Sequence, residues 1–385
     1  MIIRKIEIIP INTSFGFRRR TSLGALVYGE KGELTGKPVL LRLTDDEGRE
    51  GYGQIRPHNP FQGETTESII GALRAYYAPR LLGRNPWQRQ EIVADLLRTL
   101  PGNPEALQAV DIALHDLVGK AAGVPIATLL GGPSCERIPL EWSVGLGDAE
   151  HMLAESLKAV NEHGMKIVCL KVGPIDRWEL DIEIFRTVRQ ALGPGITLGI
   201  DGNGGYDVTT SIKVITALEA YGLAYVEQPI PRFDIEGMAE IRRRITTPLM
   251  ADDCAFGLHD SYQAIHARAC DVMVIKLYKC GGFTVGQKIV AVAEAAGVGI
   301  NLGGTAHGSQ IEAAAAAHFW AATHQPRFGA EFALGLNVVD NDPLVTEGLI
   351  EYADGSAVLP TGPGLGVTPN RAAIDEYAFD RYIFE

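Results

Sequence analysis

Cysteine is scarce in this sequence. The 385 residues hold five (Cys135, Cys169, Cys254, Cys270 and Cys280), an odd number with no Cys-x-x-Cys pair, which excludes a disulfide framework or a thiolate zinc site as the organising feature. Positive charge is also in short supply: 35 Lys and Arg against 47 Asp and Glu leave a formal charge of −12. That balance excludes nucleic acid or an anionic membrane surface as the main partner, because phosphate contacts need clustered cations. No apolar run reaches the roughly 18 residues of a membrane span. The opening MIIRKIEIIP alternates like a strand and lacks the long apolar core of a signal peptide, so the expected location is the cytoplasm. Low-complexity tracts are missing too, and 46% hydrophobic with 21% charged residues is the composition of a soluble globular chain with a large core.

What is present divides into two textures. Residues 1–130 start with β-like stretches, IRKIEIIPI and PVLLRLTDDEGREGYGQIRP, in which DDEG is a hairpin signal, and continue into helical patterns around 64–83 and 104–122. This reads as an α+β domain. Between its first strands lies a Gly-rich loop near 14–37 that carries Arg18, Arg19 and Arg20.

From residue 131 to about 335, short apolar runs alternate with helical stretches: RIPLEWSVG, MKIVCLKVG, ITLGIDGN, LAYVEQP, PLMADD, DVMVIKLYK, VGINLGG and PRFGAE. Polar residues end these runs at Lys171, Asp201, Glu227, Asp252 and Lys276, spaced 24 to 30 residues apart, the length of one βα unit. Eight units predict an α/β fold, a TIM-like (β/α) barrel behind an N-terminal α+β capping domain, with 336–385 as a C-terminal segment. In such barrels the C-terminal strand ends form one cavity, so Lys171, Asp201, Glu227, Asp252, Lys276 and Glu331 are expected to converge.

Three carboxylates, Asp201, Glu227 and Asp252, cannot share a cavity as anions without a cation between them. An isolated strand-end acid is more often a helix cap, but three in register weaken that alternative. With oxygen donors only, Mg2+ is the expected metal, with Mn2+ as a substitute. Asn203 and Asp253 adjoin these acids and are candidates to orient them, although a helix-capping role is open for Asn203. Lys171 and Lys276 flank the trio as an acid/base pair, since a cation and desolvation lower a lysine's proton affinity enough for it to act as a base. Lys279 and Asp271 read as supporting or surface residues. A carboxylate substrate held by the metal has an acidified α-proton, and its removal gives a metal-stabilised enediolate. That chemistry covers racemisation or epimerisation, β-elimination and cycloisomerisation.

These residues resemble the enolase superfamily, and within it the muconate lactonizing enzyme branch of the mandelate racemase/muconate lactonizing enzyme family. The resemblance is carried by LKVG, DGN, VEQP, MADD, VIKLYKCGG, FGAE and the C-terminal LPTGPGLGV. It implies Asp201, Glu227 and Asp252 as Mg2+ ligands, Lys171 and Lys276 as the acid/base pair, and a tail that returns to the cap. The lysine of VIKLYKCGG argues against the branch that uses a His-Asp pair. Glu331 matches an acid at the end of strand eight and is either a substrate contact or a salt bridge at the barrel mouth; His307 and one of Arg18, Arg19 and Arg20 in the capping flap are further candidate substrate contacts.

One position departs from that pattern. The branch carries Lys-x-Lys at the end of strand two, and here the first of the two is Cys169. Cys169 is either a neighbour of substrate or a small buried filler. The expected function is muconate-type cycloisomerisation of a small carboxylate, with racemisation or epimerisation of an amino-acid derivative or dipeptide, or dehydration of a hydroxy acid, as alternatives. Two rivals lie outside this chemistry: a binding protein that has kept the metal site, which the lysine pair argues against, and a lyase with a Schiff-base lysine. Capped barrels often assemble, so a homo-oligomer fits this architecture.

Overall fold

The computed structural model describes residues 1–12, 17–28, 37–57, 61–303, 309–331 and 342–385. The alternating N-terminus forms β1 (Ile3–Pro10), an inner strand of a four-stranded antiparallel sheet. Its order is β18 (Tyr382–Phe384), β1, β4 (Val39–Asp45) and β5 (Glu50–Ile55). The DDEG turn between β4 and β5 is tied by Asp45, whose Oδ1 accepts from the amides of Glu47 and Arg49 at 2.9 Å each. Gly48 at φ +78° completes it, a conformation that an L side chain resists.

Both helical stretches of the cap form. The first runs from Thr66 to Leu81 with a wider turn at Leu73–Tyr77, and the second is the helix Pro104–Ala122. Pro104 suits its first turn, where an amide would have no intrahelical partner, and Gly123 at φ +70° stops it. This helix is buried on nearly every side because it lies between the cap sheet and the barrel. Gly53 on β5 lets it approach: a Cβ there would stand 1.9 Å from the Ala109 carbonyl oxygen. On its barrel side, Asp111 accepts from the amide of Thr284 at 2.9 Å and its hydroxyl at 2.7 Å.

The second texture folds as a curled parallel sheet of seven strands in sequence order: β7 (Glu141–Val144), β8 (Ile167–Lys171), β9 (Thr197–Asp201), β10 (Val226–Glu227), β11 (Leu249–Ala251), β12 (Val272–Ile275) and β13 (Gly299–Leu302). A helix follows each one, and the strands are buried on both faces, which is why they read as continuous apolar runs. Side-chain caps start several of these helices: Asp148, Asp207, Asp234 and Ser309 each accept from an amide of the first turn.

The eighth run differs from expectation. Residues 326–331 make one parallel bridge, Leu140 to Ala330, rather than a ladder. Pro326 offers no amide hydrogen, and Gln325 and Phe328 take φ of 47° and 56°, so the chain is kinked out of strand geometry. The run still closes the ring: Arg327 N donates to Ile300 O on β13, and Glu141 N on β7 donates to Ala330 O.

The C-terminal segment stitches both parts. β16 (Ser356–Val358) pairs with β6 (Arg137–Pro139) below the barrel, and β18 pairs with β1 in the cap. No helix among the described residues is long and apolar enough to cross a membrane.

Candidate active site

Strand alternation sorts the barrel interior into layers. Cys169, Tyr225, Met250, Val272 and Val274 pack together as an inner cluster. Two residues further along the same strands stand Lys171, Glu227, Asp252 and Lys276, joined by Asp201 on β9. Backbone register sets Lys171 beside Asp201 and Asp201 beside Glu227. All five are buried, with exposures from 1% to 7%.

Each lysine engages one end of the acid row. Lys171 pairs with Asp201, and Lys276 donates to Asp252 Oδ2 at 2.8 Å. Both also reach Glu331, at 3.9 Å from Lys171 and 3.8 Å from Lys276. Among the described residues Glu227, in the middle, forms an ion pair only with Lys276, at 3.8 Å. Burial raises the proton affinity of Glu227, and the neighbouring charges of Asp201 and Asp252 raise it further. Burial would do the same to Asp252, but Lys276 and Lys279 outweigh it and hold that carboxyl well below the usual range. Burial alone would depress both lysines; Asp201 and Glu331 around Lys171, and Asp252, Tyr278 and Glu331 around Lys276, reverse the sign and raise them.

Among the described residues no three Asp, Glu, His or Cys side chains stand already in ligating positions, since lysines occupy the carboxylates instead. The donor set nonetheless suits a hard divalent cation. Its three acids are oxygen donors from adjacent strands, and the central one is poorly compensated by the lysines.

Residues 151–373 match the family model described as enolase C-terminal domain-like, and residues 32–131 match the mandelate racemase / muconate lactonizing enzyme N-terminal domain. The chain belongs to the mandelate racemase/muconate lactonizing enzyme family. It is 35% identical over 344 residues to muconate cycloisomerase 1 of Rhodococcus opacus, covering 89% of this chain and 91% of that one. With the L-Ala-D/L-Glu epimerase of Clostridium acetobutylicum it shares 33% identity over 86% of this chain and 90% of the other. A crystal structure of the dipeptide epimerase from Cytophaga hutchinsonii, complexed with Mg and the dipeptide D-Ala-L-Val, superposes with a TM-score of 0.90 at 28% identity, covering 100% of both chains. Cycloisomerases and epimerases are isomerases, and this family member is an isomerase of the enolase superfamily.

The other predicted residues of this mandelate racemase/muconate lactonizing enzyme family member do not all join the lysine and acid row. Asn203 is not a helix cap, that role belonging to Asp207. Its amide donates to Asp201 Oδ1 at 2.8 Å, its Nδ2 lies 3.5 Å from Asp253 Oδ2, and its buried Oδ1 has no partner among the described residues. Burial, aided by the charge of Asp252, pushes Asp253 up to about 7. Glu331 lies between the two lysines. Cys169 is 1% exposed in the apolar inner cluster, and burial raises its thiol well above the ordinary value. Arg20 is exposed, the side chains of Arg18 and Arg19 lie outside the described residues, and so does His307.

Sequence reasoning placed Lys279 among supporting or surface residues and passed over two further residues of this site, Glu141 and Ser22. Lys279 is 2% exposed and donates to Asp252. Glu141, on the first barrel strand, points inward to Tyr225 and was legible as a lone acid in an apolar run. Ser22 has no sequence signal: it sits at the turn between β2 (Phe17–Thr21) and β3 (Gly24–Tyr28) and donates to the carbonyls of Gly202, at 2.7 Å, and Asn203, at 3.1 Å.

Proposed function

We propose that this isomerase moves a proton at the α-carbon of a small carboxylate, as a racemase or epimerase with two lysine bases. The observation that carries this reading is the placement of Lys171 and Lys276 on barrel strands two and six, opposite each other in a ring closed by the eighth run, with both within 4 Å of Glu331. Each lysine faces one side of a substrate held between them, so one removes the α-proton and the other returns a proton to the opposite face. Asp201, Glu227 and Asp252 would hold Mg2+, or Mn2+ in its place, which supplies the positive charge that acidifies the α-proton and offsets the charge left on its removal. With substrate present, Glu331, within 4 Å of both lysines, orients toward the cavity the neutral amine that takes the proton and the ammonium that gives one. The Mg-bound dipeptide epimerase of Cytophaga hutchinsonii supports the cation and an amino-acid derivative as substrate.

A second reading, muconate-type cycloisomerisation, is favoured by the 35% identity to the Rhodococcus opacus enzyme. It uses one lysine as the proton carrier and leaves the other without a proton to move.

Deuterium uptake separates these readings. Dipeptides, N-acylamino acids and unsaturated diacids are incubated with enzyme and Mg2+ in D2O and followed by mass spectrometry. A racemase or epimerase exchanges the α-proton of both stereoisomers. Lys171→Ala and Lys276→Ala each lower exchange by about 10²–10⁴-fold, the contribution typical of a general base. Absence of uptake from every acid in the panel would sink the proton-transfer reading.

A further inference from the structure

Asp252 is held by two ammonium groups that differ in how far they are committed. Lys276 donates one hydrogen bond, to Oδ2 at 2.8 Å, and its other charge contacts, Glu227 and Glu331, are both at 3.8 Å. Lys279 lies three residues on, in the helical turn Leu277–Cys280. It donates to Asp252 Oδ1 at 2.5 Å, to the Asp252 carbonyl at 2.7 Å and to the Val274 carbonyl at 3.1 Å. An ammonium group has three hydrogens, so Lys279 has none left, and at 2% exposure no water replaces what it loses on moving. Its bonds also join the end of β11 to β12.

We propose that Lys279 is a positioning residue: it fixes the Asp252 carboxylate so that Oδ2 alone faces the cavity, and it thereby leaves Lys276 loosely held and free to turn to substrate. Without Lys279, Oδ1 is a buried anionic oxygen with no donor among the described residues, a state costly enough that Lys276 is drawn fully onto Asp252 or the carboxylate rotates. Either response spoils the oxygen presented to a cation. The inference rests on the reading of Asp252 as a cation ligand.

Two roles for Lys279 predict opposite signs. A cation that only sits near a metal site weakens metal binding, so its removal tightens it. A group that orients a ligand strengthens binding, so its removal loosens it, typically by 10–100-fold for partners of metal ligands.

The experiment is titration of the full-length protein with Mn2+ alone, read by electron paramagnetic resonance of the free ion, on wild type and Lys279→Met. Methionine keeps the apolar stem and removes the ammonium, so loss of packing is small. The expected result is Mn2+ affinity at least about tenfold weaker in K279M. Unchanged or tighter binding would overturn the proposal. If K279M does not fold, thermal melting of D252N/K279M decides: recovery of a folded protein identifies the orphaned carboxylate as the defect and supports the proposal, whereas a double variant that stays unfolded overturns it. Failure of the wild type itself to bind Mn2+ would instead remove the cation-site reading on which the inference stands.

Discussion

Tyr225 donates its phenolic hydrogen to Glu141 in the middle of the barrel, and neither reaches solvent, with exposures of 0% and 3%. The pair lies beneath the lysine and acid row and gives the barrel interior a polar centre. Burial, with the charge of Glu331 adding to it, pushes the Glu141 carboxyl up to about 8. In the unfolded chain it titrates near the ordinary glutamate value of about 4.3.

A raised folded value makes stability fall as pH rises. The contribution of Glu141 is fully present below the unfolded value and is lost between about pH 4.3 and the folded value of about 8. Glu141→Gln keeps an acceptor for Tyr225 and removes the titration. Wild type is therefore expected to lose on the order of 2–4 kcal/mol relative to E141Q between pH 5 and 9. Urea denaturation of both proteins across that range checks this, and parallel stability curves would contradict it.

Tyr225 fills its place because Gly199 on the neighbouring strand has no side chain: a Cβ there would stand 2.2 Å from Tyr225 Cζ. A fully buried ring cannot step aside, so Gly199→Ala is expected to destabilise by about 1–3 kcal/mol or more. Adding Tyr225→Leu should return part of that loss, since the two positions contest one volume. Denaturation midpoints of the single and double variants measure the coupling, and strict additivity would rule out the contact as the cause.

The parts legible in the sequence are those where burial and polarity conflict. Lys171, Asp201, Glu227, Asp252 and Lys276 end apolar runs at a steady spacing, and a charge in such a place has few bland explanations. Lys279 was read as supporting or surface because most lysines are exposed, and the carbonyl oxygen of Val274 that helps bury it is a partner no side-chain pattern announces. The eighth strand was overcounted for a related reason: apolar spacing in PRFGAE says nothing about the missing amide of Pro326 or the positive φ of Phe328. Cys169 was legible as an inner position, but its apolar surroundings come from β10, β11 and β12, far along the chain.

Besides the β18–β1 pairing, one buried carboxylate links the C-terminal segment to the cap helix. Asp116 is 0% exposed; its Oδ1 accepts from Leu365 N at 2.8 Å, and its Oδ2 from Tyr52 N at 2.8 Å and Lys120 Nζ at 2.6 Å. In Asp116→Asn one of these oxygens becomes an amide nitrogen facing a donor. The expected cost is about 2–3 kcal/mol, accompanied by faster proteolysis after residue 342. Unchanged denaturation and cleavage would show that the tail is held by its strand pairings and packing without help from Asp116.

The β2–β3 hairpin rests on the barrel through Ser22, and the cradle is made of glycines. A Cβ at Gly205 would stand 2.6 Å from Ser22 Cβ, and one at Gly173 would stand 3.1 Å away. Arg20 O accepts from Leu146 N at 2.8 Å, so the same turn touches the loop after β7. Ser22→Ala removes the donor to the Gly202 and Asn203 carbonyls, a loss of about 1 kcal/mol that speeds amide exchange of the hairpin by about fivefold. Gly205→Ala acts on the same seat by crowding, without changing any candidate ligand or lysine. Hydrogen exchange of the peptide 17–28 in both variants should rise while that of β8 and β9 stays fixed. Because Asn203 also donates its amide to Asp201, the seat of the hairpin and the first acid of the row share one residue. If exchange of 17–28 is unmoved in both variants, the Ser22 contact contributes nothing to holding the hairpin, and its hold must come from the Leu146 side.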